Sequence, residues 1–196
     1  MMSSQVVTYL TPEEYLVLER QAETRSEFLD GQVLARAISN ERHNLITVNV
    51  LAGLHGQLKS QPCEVYASAM RLKVSPMDSY MYPDVVVVCG EPQFEDEYTD
   101  TLLNPTVIVE VLSESTQGYD RGLKFEHYRK LESLREYVLV AQEKCQVEHF
   151  VRQPDNQWLL SETDNLDDTV QLPSINCVLA VSDIYDRVET ARGRTP

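Results

Sequence analysis

Two short stretches of this 196-residue chain can hardly be anything but strands buried on both faces. Val85-Val86-Val87-Val88-Cys89 and Val107-Ile108-Val109-Glu110-Val111-Leu112 are apolar, β-branched runs without polar alternation. A strand with one wet face alternates apolar and polar residues, whereas an unbroken run marks a strand covered on both sides. Glu136 to Ala141 supplies a third core strand of the same kind. The chain must therefore build a sheet and then cover both of its faces.

The remaining elements supply those covers. Thr11 reads as the N-cap of a first helix, with Pro12 at its first position and Glu14 completing a capping box. Ser26 to Leu29, the turn pair Asp30-Gly31, and Gln32 to Ala37 read as a β-hairpin. Asn40 caps a longer helix, from about Glu41 to Lys59, whose residues Ile46, Val50, Leu51, Leu54 and Leu58 share one face. Two short strands follow, Glu64 to Ala67 and Met70 to Val74, with a turn from Pro76 to Ser79. The buried strand is read from Asp84 to Cys89 and the next from Thr106 to Leu112, with an acidic, mobile loop from Glu91 to Asp100 between them. Asp120 to Glu132 reads as a helix, Val147 to Arg152 with Gln157 to Ser161 as a hairpin, and Val181 to Val188 as a short closing helix. With no repeat or low-complexity linker, residues 1–196 read as one domain with a core over roughly 10–188. The class is α/β (α+β), a mixed central sheet flanked by helices.

Hydrophobic residues make up 42% and charged residues 24%, which suits an ordinary folded core and excludes disorder for most of the length. No apolar run approaches the roughly 20 residues that span a bilayer. Met1 to Leu10 lacks a basic segment followed by an apolar one, so it does not read as a secretory signal. The four cysteines, Cys63, Cys89, Cys145 and Cys177, show no CxxC spacing, which argues against a zinc knuckle or redox dithiol. Cys89 and Cys177 sit in apolar stretches and read as buried thiols. The expected location is cytoplasmic. The formal net charge of −14 opposes long-range attraction of nucleic acid, though screening over roughly 8 Å leaves room for a local basic patch.

Against this background two carboxylates stand out. Asp84 follows Pro83 and opens an otherwise apolar strand; Glu110 is embedded in one. An ionised carboxylate among apolar neighbours is costly unless it is paired or binds a cation. On neighbouring strands the two could share one divalent cation, since Mg²⁺ accepts one or two carboxylates and completes its octahedron with water and phosphate. The plain alternative for Asp84 is a strand end projecting into solvent or pairing with an arginine. Downstream, Asp120 to Lys130 carries most of the local positive charge. Lys124 and Tyr128 are four apart and share a face, with Arg121 one turn earlier. Arg129 and Lys130 read as a solvated face, whereas Lys124 lies one short loop from Glu110 and could serve a phosphoryl reaction.

Tyr82-Pro83-Asp84, Val109-Glu110-Val111-Leu112-Ser113, Asp120, Lys124-Phe125-Glu126-His127-Tyr128 and Glu136-Tyr137, in that order, resemble the PD-(D/E)XK nuclease superfamily. More narrowly they resemble its Uma-type branch of restriction endonucleases. Arg25-Ser26-Glu27 with Asp30-Gly31, and His43, extend the resemblance over roughly residues 10–185. It implies a restriction-endonuclease-like fold and metal-dependent hydrolysis of DNA. Asp84 and Glu110 would bind Mg²⁺ or Mn²⁺ with the carbonyl of Val111, and a homodimer is expected where both strands are cut. The superfamily's lysine stands two residues after the Glu, a position held here by Leu112; by the resemblance Lys124 takes its role from the next helix. Glu27 and His43 are accessory candidates, with Tyr128 beside them. The plain alternative for Glu27 is a hairpin-strand carboxylate pairing with Arg25 or Arg36. His43 would contact a phosphate or donate to a carboxylate, or would be a simple exposed first-turn residue.

Two other readings compete. A nuclease-like fold could serve as a non-catalytic binding or regulatory module, which the acidic balance favours. A two-carboxylate acid/base hydrolase of sugars lacks an aromatic platform, Trp158 being the only tryptophan. His55, His127 and His149 have no metal-ligand spacing, which disfavours a zinc enzyme. No added recognition domain is visible, so sequence specificity would rest on loops such as Glu91 to Leu103.

Overall fold

The computed structural model describes residues 9–36 and 39–189. Residues 1–8, with most of the N-terminal stretch discussed above, and the expected hairpin end at Ala37 lie outside the described residues.

The central sheet has six strands, and the two valine-rich runs lie at its heart. These are β3 (Cys63–Ala67), β6 (Val85–Cys89), β8 (Val107–Leu112), β9 (Glu136–Ala141), β10 (Val147–Arg152) and β11 (Trp158–Thr163). Their order is β11-β10-β9-β8-β6-β3, with β8 and β9 parallel and every other pair antiparallel. Side-chain alternation divides each run between two cores. Val85, Val87, Val107, Val109, Val111, Val138 and Val140 face one core, whereas Val86, Val88, Ile108, Leu112, Tyr137 and Leu139 face the other.

The first core is closed by α2 (Glu41–Leu58) and by the two-stranded sheet of β12 (Thr169–Leu172) and β13 (Cys177–Ala180). The short α5 (Val181–Ile184) completes it. Along α2 the buried residues are Ile46, Val50, Leu54 and Leu58, the stripe that the sequence shows. A second sheet of five strands lies toward the other core, in the order β2-β1-β5-β4-β7. It comprises β1 (Ser26–Leu29), β2 (Gln32–Ala35), β4 (Arg71–Val74), β5 (Ser79–Met81) and β7 (Thr101–Leu102). Leu29, Leu72, Val74, Met81 and Leu102 carry it onto the central sheet. The observed class is the expected α+β one, and the cover that sequence reading leaves out is this second sheet.

The caps match their signals. Thr11 and Glu14 form a reciprocal capping box on α1 (Pro12–Gln21), and the Asn40 side chain accepts from the His43 N–H at 2.9 Å. Asp30 and Gly31 both hold positive φ, at 49° and 81°, as a tight hairpin turn requires.

Several expectations are corrected. The helix expected from Asp120 to Glu132 is broken into α3 (Gln117–Tyr119), a π-helical turn (Asp120–Lys124) and α4 (Phe125–Tyr128). After Tyr128 the backbone tightens, with the Lys130 and Leu131 N–H groups bonding three residues back to His127 and Tyr128, and the Arg152 guanidinium donates to the Arg129 and Leu131 carbonyls beyond, at 2.6 and 2.9 Å. The closing helix stops at Ile184, before the left-handed Arg187 (φ 59°). The turn expected at Pro76–Ser79 is a 3₁₀ turn at Ser75–Met77, and Ser79 already opens β5. Cys89 is not a free thiol: β3 and β6 align it with Cys63, and the two form a disulfide. A separation of 26 residues hides such a cross-strand partner in the sequence. Cys177 is a buried free thiol. The acidic loop is tied to the five-stranded sheet and α1 by Arg20 with Asp96 and Asp100, Arg71 with Asp100, and Lys73 with Glu95. Among the described residues no helix is long and apolar enough to cross a membrane.

Candidate active site

Asp84 and Glu110 meet because β6 and β8 are antiparallel neighbours. Val85 lies opposite Val109, and the same register carried one residue further sets Asp84 opposite Glu110, on the face that Val86 and Ile108 share. Directly opposed residues of an antiparallel pair hold their Cβ atoms about 5 Å apart. Both carboxylates are 3% exposed.

Lys124 does reach Glu110. The π-helical turn carries its ammonium to 2.9 Å from Glu110 Oε1, 3.2 Å from Glu27 Oε1 and 3.3 Å from Asp120 Oδ1. The Tyr128 hydroxyl, one turn on, donates to the same Glu110 oxygen at 2.9 Å. Arg121 instead pairs with Glu148 on β10, away from Glu110. Asp84 has a different set of partners. Its Oδ2 accepts from the Val111 N–H at 2.8 Å and lies 3.1 Å from His43 Nε2, while Arg36 approaches Oδ1 at 3.5 Å.

Glu27 is therefore no hairpin-surface carboxylate: it accepts from the Tyr119 hydroxyl at 2.9 Å and the Tyr82 N–H at 3.1 Å besides Lys124. Arg25 and Arg36 are not its partners. Arg25 donates to the Glu19 carbonyl, and Arg36 turns to Asp84 and the Ser68 carbonyl. His43 is mostly buried beside Asp84 rather than an exposed first-turn residue. The sequence offers Asp120 only as part of the motif, Arg36 only as a partner for Glu27, and Tyr119 not at all. The i,i+4 spacing of Asp120 and Lys124 was the available signal for the first; nothing local announces the other two.

Glu27, Asp84, Glu110, Lys124 and their polar neighbours, without the fully buried Tyr128, face a cavity of about 320 Å³ walled also by Leu34, Ala35, Ser39, Ser115 and Thr116. The electrostatics are set by crowding. Burial pushes the Glu110 carboxyl up to about 8; Lys124 opposes this, while Asp84, Asp120 and Glu27 add to it. Burial also raises Asp120, against the pull of Lys124 and Thr116. For Asp84, burial acts upward but is outweighed by the hydrogen bond and charge of His43, the Val111 N–H and Lys124, so it is held below the usual carboxylate value. For Lys124, burial acts downward but Glu110, Glu27 and Asp120 outweigh it and hold the ammonium protonated.

Glu27, Asp84, Glu110 and Asp120 set four carboxylates against two permanent cations, Arg36 and Lys124. Fully ionised, the cluster carries a formal excess of two negative charges. That donor chemistry fits a divalent cation, whose charge would replace the proton that Glu110 otherwise retains near neutrality. Glu27, Glu110 and Asp120 converge on the Lys124 ammonium. Among the described residues no three His, Cys, Asp or Glu side chains form a ready metal cage. A cation here would accordingly rest on Asp84 and Glu110, with water filling the remaining positions.

Comparison with known proteins gives concordant results. The model of the Uma2 family, described as "Putative restriction endonuclease", matches residues 12–182. A Synechocystis protein, sll1609, is 40% identical over 153 residues, spanning 78% of this chain and 86% of its own. A second, slr1290, is 32% identical over 176 residues, spanning 90% and 91%. A crystal structure from Anabaena variabilis, of "a putative nuclease belonging to DUF820", superposes with a TM-score of 0.75 at 18% identity. That likeness covers 92% of this chain and 99% of the other, and it establishes a shared fold.

Proposed function

This chain belongs to the Uma2 family, and on that premise we propose that it is a metal-dependent DNA endonuclease with its centre at Asp84, Glu110 and Lys124. The observation that carries the reading is the reach of Lys124. An ammonium buried against Glu110, opposite Asp84 across two paired strands, supplies the cation that the leucine two residues after Glu110 cannot. A surface salt bridge of that kind would mean little; one sunk in a four-carboxylate cluster is costly to maintain for stability alone.

Each side chain has work that follows from its surroundings. Asp84 stays ionised, oriented by the Val111 N–H and His43. Glu110 is fixed by Lys124 and Tyr128 at one oxygen, which leaves the other for a cation. A divalent cation when bound supplies a water of lowered pKa and neutralises phosphate charge. Lys124, being protonated, acts as a donor rather than a base: its N–H groups hydrogen-bond a phosphate oxygen and offset the negative charge that grows there in the transition state. The backbone carbonyl of Val111 would add a further oxygen, and Mg²⁺ or Mn²⁺ suits an all-oxygen set.

The test is calorimetric titration of Mn²⁺ into the wild type and Asp84→Asn, paired with cleavage assays. Binding lost in the variant while its fold persists, together with cleavage by the wild type, supports the reading. Wild-type protein that neither binds the ion nor cleaves would instead make the chain a non-catalytic module, the reading that the net charge of −14 favours.

A further inference from the structure

We propose that the site takes single-stranded, unpaired nucleic acid rather than intact duplex. This rests on the nuclease reading and names its substrate class.

The reactive groups lie on a floor, not on a surface. Asp84 and Glu110 are 3% exposed and Lys124 6%, at the base of a cavity of about 320 Å³. One wall is the β2 edge with Leu34 and Ala35; the facing walls are Ser39 and His43 at the start of α2, and Thr116 and Tyr119. A duplex carries its phosphates on the ridges of a rod with a persistence length of about 50 nm, so it cannot feed one phosphate into a recess without local distortion. A single strand turns freely about its backbone and can. Distorting a paired strand far enough to do so costs energy that an unpaired strand does not pay.

Charge points the same way. Duplex binding gains its affinity from many Lys and Arg contacts along both strands, at a phosphate density of one charge per about 1.7 Å of axis. Among the described residues only two permanent cations line the cavity, Arg36 and Lys124, and each is engaged by carboxylates of the site. The net charge of −14 also opposes the long-range attraction on which duplex binding draws. A single strand needs fewer phosphate contacts and gains from stacking on aromatic side chains, and Tyr119 stands on the cavity wall. One active site suffices to cut one strand, so this substrate removes the need for a paired second copy.

The experiment measures fluorescence anisotropy in EDTA on one labelled sequence offered single-stranded, as blunt duplex, and as duplex with a central unpaired loop. Cleavage of the three in Mn²⁺ is followed in parallel. Single-stranded and looped forms should bind at least tenfold more tightly than the blunt duplex, and any cleavage should fall in unpaired segments. Ala35→Trp, an exposed change on the β2 edge that narrows the mouth, should weaken single-strand binding at least tenfold with an unchanged melting temperature. Equal or tighter duplex binding, or no binding of any form, overturns the proposal. Single-strand preference without any cleavage sustains it while refuting the endonuclease reading.

Discussion

Replacing Glu110 by Gln separates the cost of the carboxylate from its use. In the folded chain the Glu110 carboxyl titrates near 8, against an ordinary value of 4.5, because burial and the neighbouring Asp84, Asp120 and Glu27 disfavour its charge. Below about pH 4.5 it is protonated in folded and unfolded chains alike, and its titration costs nothing. Between 4.5 and about 8 the unfolded chain releases a proton that the folded chain keeps, so stability falls as pH rises through that window. Above about 8 the full cost is present. At about 1.4 kcal/mol per tenfold change in proton affinity, it amounts to about 5 kcal/mol at most. Glutamine keeps the shape and an acceptor oxygen for Lys124, which also retains Glu27 and Asp120. In EDTA, therefore, wild type and Glu110→Gln should melt together near pH 5, and the variant should melt higher at pH 9. At roughly 2–4 °C per kcal/mol for a chain of this length, the gap should reach roughly 10–20 °C. Added Mn²⁺ should close the gap by raising the wild type alone. The assay is differential scanning calorimetry at several pH values with and without the ion. A wild type that is the more stable protein at pH 9 in EDTA would refute the reasoning, and Glu110 would then be an anchor for Lys124.

Other variants probe the remaining parts of the cluster. Lys124→Ala leaves Glu27, Glu110 and Asp120 without their shared cation, so it should cost roughly 3–5 kcal/mol in EDTA by chemical denaturation. Mn²⁺ should recover part of that loss without restoring cleavage; full cleavage would show that another residue fills the lysine role. Asp84→Asn should lose stability relative to wild type near neutral pH, and progressively less as pH falls below 3.8. The depressed Asp84 pKa stabilises the fold above the ordinary carboxylate value of 3.8, and that contribution fades as pH falls through the lower folded value. His43→Ala removes a partner that orients Asp84, so Mn²⁺ affinity measured by calorimetry should fall roughly tenfold with the fold intact. An unchanged affinity would make His43 a neighbour only.

The central part of the fold was legible because burial on two faces leaves its mark on consecutive residues. Val85 to Cys89 and Val107 to Leu112 could only be inner strands, and their shared register then made Asp84 and Glu110 neighbours. Caps at Thr11 and Asn40 were equally plain, since capping is local chemistry. What stayed hidden depends on contacts far apart in sequence. The Cys63–Cys89 disulfide needs the β3–β6 register, and the carbonyls just past α4 are met by Arg152 from another strand. For Glu27 the choice between a site residue and a partner of Arg25 or Arg36 stayed open, because its hairpin says nothing of Tyr119 and Lys124, over 90 residues on, that meet it. The five-stranded sheet was missed for a related reason: β5 and β7 have only three and two residues, too few to show a period.

The most direct test of the account is cleavage of supercoiled plasmid and of single-stranded circular DNA by the purified protein in Mg²⁺, Mn²⁺ or EDTA, beside Glu110→Gln. The account predicts cutting that requires the ion, favours the single-stranded circle and is absent from the folded variant. Cutting that persists in EDTA, or that Glu110→Gln retains in full, would contradict it.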